Sequence, residues 1–155
     1  MDFLPENFKA LGSVSQFIIY KVIPSASRPG KTDKIPLDYR TGQHISPFDS
    51  SAWLDADYAI AVAKNFGAGH GVGFVLTEND PFFCIDVDGC VDIETGAWSP
   101  IAIQLLTEFA GAGVELSNSW CGIHIFGTGV APAHGTQCKA LGLEFYTEKR
   151  FIALT

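Results

Sequence analysis

Four side chains in this sequence are out of keeping with their surroundings: Asp86 and Asp88 at the end of the apolar run FFCIDVD, His124 within GIHIFG, and Glu144 within LGLEFYT. Each run alternates as a half-buried strand does, and successive side chains of a strand point to opposite faces. Cys84, Asp86 and Asp88 therefore share one side while Phe83, Ile85 and Val87 share the other; His124 is set against Ile123 and Ile125, and Glu144 against Leu143 and Phe145. Two carboxylates at i and i+2 repel, and a divalent cation bridged between them is the simplest compensation. A lone strand histidine is most often a hydrogen-bonded structural group, and a lone glutamate most often lies on the wet face of a sheet. Three such interruptions, all able to point to one face, are better explained by a shared site where hard oxygen ligands hold Mg²⁺ or Mn²⁺.

These groups need strands to carry them, and the sequence offers several. VSQFIIYKVIP (14–24) reads as a first strand. The polar segment 25–43 that follows reads as loop, and five of the chain's ten basic residues, Lys21, Arg28, Lys31, Lys34 and Arg40, fall in or beside it. It is either a solvated connection or a mobile basic arm that touches a polyanion. Ser51 or Asp49 can cap a helix from Ala52 to Lys64, ended by Gly67, Gly69 and Gly71. GVGFVLT (71–77) is expected as a strand and PFFCIDVDG as its hairpin partner across Glu78, Asn79 and Asp80. A second helix is expected from Ser99, with Pro100 at its first position, to Phe109. Strands at 113–119, 122–129, 141–148 and in RFIALT complete the chain. The order implies one α+β or α/β domain over residues 1–155, a largely antiparallel sheet with packed helices. The sequence stops inside a strand-like run, so it is expected to be the N-terminal part of a longer protein.

Bulk properties narrow the function. With 155 residues, 47% hydrophobic and 17% charged, the chain can build a core and is not disordered. It has no apolar run of membrane-spanning length and no basic-then-apolar leader, which points away from the membrane and to the cytosol. The net charge of −7 argues against a sequence-independent basic wrapper for nucleic acid but leaves room for a local basic track, and acids that hold cations would contribute to such a balance. Cys84, Cys90, Cys121 and Cys138 are expected as reduced thiols. DVDGC resembles the DxDG nucleophile signature of haloacid-dehalogenase phosphatases, but that motif normally opens its fold, and no later acidic pair follows. A calcium-binding EF-hand loop fails at Val91 and Ala97, where it needs Gly and a bidentate acid. The spacing Cys121-x2-His124 and His134-x3-Cys138 is that of zinc ligands, and it competes with the acidic site for His124.

IDVDG, ELSNSWCGIHIFG and LEFYTEKRFIALT, in this order and spacing, resemble the three motifs of the archaeo-eukaryotic primase superfamily, specifically the primase-polymerases of phages and plasmids; KIPLDYRTG and GAGHGVGFVLT resemble its lead-in. The resemblance covers about residues 12–155 and implies an RRM-like catalytic core. It implies that Asp86, Asp88 and Glu144 hold two Mg²⁺ or Mn²⁺ ions and that His124 binds the triphosphate of the incoming dNTP or NTP. Ser117 and Ser119 would offer hydroxyls to that triphosphate, Gly122 would let it approach the backbone, and Arg150 would neutralise its charge. The implied partners are a single-stranded DNA template and primer, with Lys31, Lys34 and Arg40 as candidate contacts, and a helicase domain or subunit; the setting would be the cytoplasm of a bacterial or archaeal host. Where the family has a small residue before the histidine strand, this chain has Trp120 and Cys121, and Trp120 reads as a surface or base-stacking residue. A module that binds nucleotide or single-stranded nucleic acid without turnover is the nonenzymatic alternative.

Overall fold

A computed structural model describes residues 4–155; residues 1–3, part of the amino-terminal stretch read for a leader, lie outside them. The chain divides into two compact units, one running to Val75 and including Phe151–Leu154, the other running from Leu76 to Arg150 and including Thr155.

In the first unit the apolar run FIIYKVIP forms β1 (Phe17–Pro24), at the middle of a sheet ordered β2-β1-β3-β9 with β2 (Thr32–Leu37), β3 (His70–Leu76) and β9 (Arg150–Ala153). Phe17, Ile18, Ile19 and Tyr20 are buried, and Phe17 meets Phe74 edge to face, with ring centroids 5.1 Å apart. β3 carries glycines where aromatic rings cross it. A Cβ on Gly71 would lie 2.5 Å from the Tyr20 ring, and one on Gly73 would collide with Phe151. The expected first helix is two elements: a short 3₁₀ turn, Ser50–Ala52, capped by Asp49, and α1 (Ala56–Phe66), capped by Asp55 accepting from the Tyr58 N–H at 2.9 Å. Gly67, at φ 85°, ends α1 in a conformation that favours glycine.

The segment 25–43 is not simply loop. Its second half forms β2, antiparallel to β1 with Ile19 opposite Leu37 and Pro24 opposite Thr32. Its polar composition concealed this because β2 is an edge strand, where charge and the proline at Pro36 are tolerated.

The second unit is a five-stranded sheet ordered β5-β6-β4-β8-β7, from β4 (Phe82–Val87), β5 (Gly113–Leu116), β6 (Ile123–Thr128), β7 (Gln137–Cys138) and β8 (Leu143–Tyr146). Every pairing in it is antiparallel. Thus the α+β class and antiparallel pairing are as expected, but there are two sheets. The expected β3–β4 hairpin does not form: β3 pairs with β1, and β4 takes β6 and β8 as its neighbours. The intervening turn is closed by side chains. Asp80 accepts from the Thr77 N–H and hydroxyl, each at 2.8 Å, and from the Phe82 N–H at 2.8 Å, so no ladder between the flanking strands is needed to hold it.

α2 (Pro100–Glu108) starts at Ser99, whose hydroxyl accepts from the Ala102 N–H, with Pro100 in the first turn as expected. Its Ala102 and Leu105 pack on Ile85, Val87, Ile123 and Ile125, with Val114, Leu116, Leu143 and Phe145 around them. One face of the sheet is thereby made apolar, which turns the alternate residues of the same strands to the other face. Ile125→Ala is expected to destabilise the protein by about 2–5 kcal/mol, whereas Ile103→Ala, on the exposed side of α2, should change stability by less than about 0.5 kcal/mol. Urea unfolding of the two variants checks this.

Candidate active site

The register of the second sheet decides which polar groups meet. Glu115 lies opposite His124, His124 opposite Asp86, Asp86 opposite Glu144, and Glu144 opposite Gln137. Directly opposed residues share a face with Cβ atoms about 5 Å apart, so five strands contribute one continuous polar row. Of the three interruptions noted in the sequence, His124, Asp86 and Glu144 are consecutive members of it.

His124 has a carboxylate near each ring nitrogen, and one of the two is within hydrogen-bonding distance. Nδ1 lies 2.8 Å from Glu115 Oε1, and Nε2 lies 3.8 Å from Asp86 Oδ1. Among the described residues no hydrogen bond reaches the Asp86 carboxylate, although its side chain is only 16% exposed. Burial raises its pKa, the nearby His124 opposes the rise, and the Asp88 and Glu144 charges add to it. Burial likewise pushes the Cys84 thiol well up, with Asp86 adding to the effect, so Cys84 behaves as a small apolar group.

Asp88 lies just beyond β4, exposed, with its N–H donating to the Gly142 carbonyl at 2.8 Å. Gly142 sits at φ 62°, and a Cβ there would lie 3.0 Å from the Asp88 carbonyl oxygen. That approach brings Asp88 and Glu144 to the rim of one depression of about 220 Å³, shared with Gln137, Lys139, Gly142 and Leu143. Glu144 is heavily engaged: it accepts from Gln137 Nε2 at 2.8 Å, from the Tyr146 hydroxyl at 2.7 Å and from Arg150 at 3.2 Å. Arg150 also stacks on the Tyr146 ring at 4.2 Å, while among the described residues its buried Nε has no hydrogen-bond partner.

The donor set suits an oxygen-coordinated divalent cation: a half-buried carboxylate without hydrogen bonds, an exposed one two residues on, and a third across the strand. As the side chains stand, no three His, Cys, Asp or Glu groups among the described residues converge as ligands. Glu144 is instead turned to Gln137, Tyr146 and Arg150.

The remaining site expectations fall at varied positions. Ser117, Ser119 and Trp120 lie on the turn between β5 and β6, where the Ser117 and Ser119 hydroxyls are 2.9 Å apart and Ser119 meets Cys121 Sγ at 3.1 Å. Trp120 is 63% exposed and adopts φ 63°, which is uncommon for a bulky residue. The close approach at Gly122 is made by the chain itself, since a Cβ there would lie 2.9 Å from the Val87 carbonyl and 3.1 Å from Ser117 Oγ. Its glycine thus joins the serine turn to the end of β4.

Lys31 lies in the β1–β2 connection and Lys34 in β2, opposite Val22, so Lys34 is fixed on a strand rather than on a mobile arm. Arg40 is engaged by Asp38 in two hydrogen bonds of 2.9 Å, which hold the Asp38 carboxyl below its usual range. No zinc cluster forms from Cys121, His124, His134 and Cys138: His134 bonds the Gly135 carbonyl and Thr147, and all four cysteines are free thiols. Three members of the site were not anticipated. Glu115 interrupts Val114 and Leu116 much as Glu144 interrupts its own strand, a signal GVEL does carry; Gln137 and Lys139 belong to a two-residue strand and a short turn too brief to show a pattern.

No protein-family model matches the chain. It is 34% identical, over 151 residues, to the DNA primase-polymerase of Nitratiruptor phage NrS-1; the match covers 95% of this chain and 20% of that relative, so the chain spans about a fifth of its length. Among the described residues no helix is long and apolar enough to cross a membrane.

Asp86 holds its proton more tightly folded than unfolded. The stability contributed by its protonated form is complete below the unfolded value of 3.8 and is lost as pH rises through the higher folded value. In metal-free buffer Asp86→Asn is therefore expected to have a higher Tm than the wild type at pH 7, with the gain shrinking as pH falls toward 3.8. Thermal unfolding across that range tests the sign.

Proposed function

We propose that this chain is a catalytic segment of a DNA primase-polymerase, joining nucleotides on a single-stranded DNA template by a two-metal mechanism. The observation that carries this reading is the cross-strand row in which Asp86 stands directly between His124 and Glu144. The similarity to the phage primase-polymerase extends over nearly the whole chain and supports it.

Asp86, Asp88 and Glu144 would hold two Mg²⁺ or Mn²⁺ ions. Bound there, the ions would lower the pKa of an attacking 3′-hydroxyl and neutralise the departing pyrophosphate. The chain's own groups position the reactants. Asp86, buried without hydrogen bonds, has open coordination directions toward the polar face; His124 presents Nε2 to that face and would hydrogen-bond a phosphate of the incoming nucleotide. Arg150, now donating to Glu144, would neutralise triphosphate charge, and the Ser117 and Ser119 hydroxyls, on the turn joined to β4 through Gly122, would bind the same group. The basic residues Lys31 and Lys34 would contact template or primer phosphates. The replicative helicase, the choice between dNTP and NTP, and the cytoplasm of a phage or plasmid host belong to the same proposal.

One observation favours a second reading. Glu144 is bound to Arg150 and Tyr146, and a module that keeps this arrangement would bind nucleotide without turnover.

Primer extension on single-stranded DNA with Mg²⁺ or Mn²⁺ separates the two. The wild type is expected to incorporate nucleotide and Asp86→Ala to lose incorporation; nucleotide binding without incorporation by the wild type supports the module. Mn²⁺ should also raise the Tm of the wild type and not that of Asp86→Ala. For the basic strand, Lys34→Ala is expected to weaken DNA binding and reduce the slope of log K against log salt by about 1, and an unchanged slope removes Lys34 from the interface.

A further inference from the structure

Glu115 opens the segment ELSNSWCGIHIFG without a role in the site read from it, yet it ends the polar row. It projects from β5 directly opposite His124, and both side chains are 10% exposed. Its Oε1 lies 2.8 Å from His124 Nδ1, and its Oε2 accepts the Thr155 N–H at 2.9 Å. No Lys or Arg pairs with it among the described residues. A carboxylate so placed is costly to bury without compensation, and the imidazole is its principal side-chain partner.

A carboxylate oxygen accepts and does not donate, so the short contact assigns the proton to Nδ1. The opposite nitrogen, Nε2, is then the one turned toward Asp86 and the open polar face. Ring plane and tautomer are both set by a hydrogen bond on the far side of the ring, the arrangement by which carboxylates orient working histidines elsewhere.

We propose that Glu115 is the positioning residue of His124: by accepting the Nδ1 proton it fixes the plane of the imidazole with the Nε2 edge on the polar face, where Nε2, carrying a second proton in the complex, donates to a phosphate of the incoming nucleotide. This rests on the reading of His124 as a phosphate contact and adds to it the residue that makes the contact reproducible. Glu115 itself touches neither nucleotide nor ion. Glu115→Gln retains an acceptor oxygen for Nδ1 and should preserve most of the effect, whereas Glu115→Ala removes it.

Two measurements decide the proposal. The first is ¹⁵N NMR of the His124 ring in the free protein. The wild type and Glu115→Gln should show a protonated Nδ1 and an unprotonated Nε2 when neutral, and Glu115→Ala should show a mixture of tautomers. A wild-type ring protonated at Nε2, or an Nδ1 signature unaltered by Glu115→Ala, overturns it. This readout needs no activity, so it stands even if primer extension fails and the nucleotidyl-transfer reading falls. The second is a double-mutant cycle on primer extension. Glu115→Ala should raise the nucleotide KM by about 10-fold or more with a smaller change in kcat, and the rise should vanish in a His124→Ala background. An equal rise with His124 absent means Glu115 acts on the fold alone and contradicts the proposal. Far-UV circular dichroism and the Tm of Glu115→Gln establish that the comparison is made between folded proteins.

Discussion

The antiparallel pairing of β4 with β6 on one side and β8 on the other is the constraint from which the site follows. Once Asp86 is opposite both His124 and Glu144, the alternation of side chains leaves no freedom about which face they occupy. A slip of one residue in either ladder would carry His124 or Glu144 to the face covered by α2, among Ile85, Val87 and Ile125. Core packing and the functional row are therefore two sides of one register. The burial of Val87, Ile123 and Ile125 holds the polar groups in line.

That line concentrates negative charge. Asp86, Asp88, Glu115 and Glu144 belong to a small region of one sheet, and the chain answers each differently. Glu115 is matched by the imidazole and Glu144 by Arg150, Tyr146 and Gln137, while Asp88 is exposed just beyond its strand. Asp86 alone is both half-buried and without hydrogen bonds, and its raised pKa records the cost. Under the proposed function a cation supplies what Asp86 lacks, and Arg150 stands beside Glu144 as the positive charge already present in the chain. Arg150 also stacks on Tyr146, and among the described residues its buried Nε has no hydrogen-bond partner.

Much of this was legible because strand alternation is a local signal. The place of Asp86 on the polar side of its strand, and the isolation of His124 and Glu144 within apolar runs, could be read from a few residues each, and α2 was marked by Ser99 and Pro100. Strand partnership was not local. β3 and β4 are neighbours in sequence and look like a hairpin, yet the Asp80 turn closes itself and each strand pairs with a distant segment. β2 was hidden by the charge and proline that suit an edge, and β7 is too short to have a period. The approach of the Val87 carbonyl to Gly122 joins segments distant in sequence and is invisible without the fold.

The claim most exposed to test is that Asp86, Asp88 and Glu144 assemble around divalent ions beside a nucleotide. Anomalous diffraction from crystals grown with Mn²⁺ and a non-hydrolysable nucleoside triphosphate addresses it directly. A Mn²⁺ peak bonded to Asp86 and Asp88 is expected, with Glu144 turned away from Arg150 to join them. A fully bound nucleotide with no ion at Asp86, or with Glu144 still paired to Arg150, would contradict it.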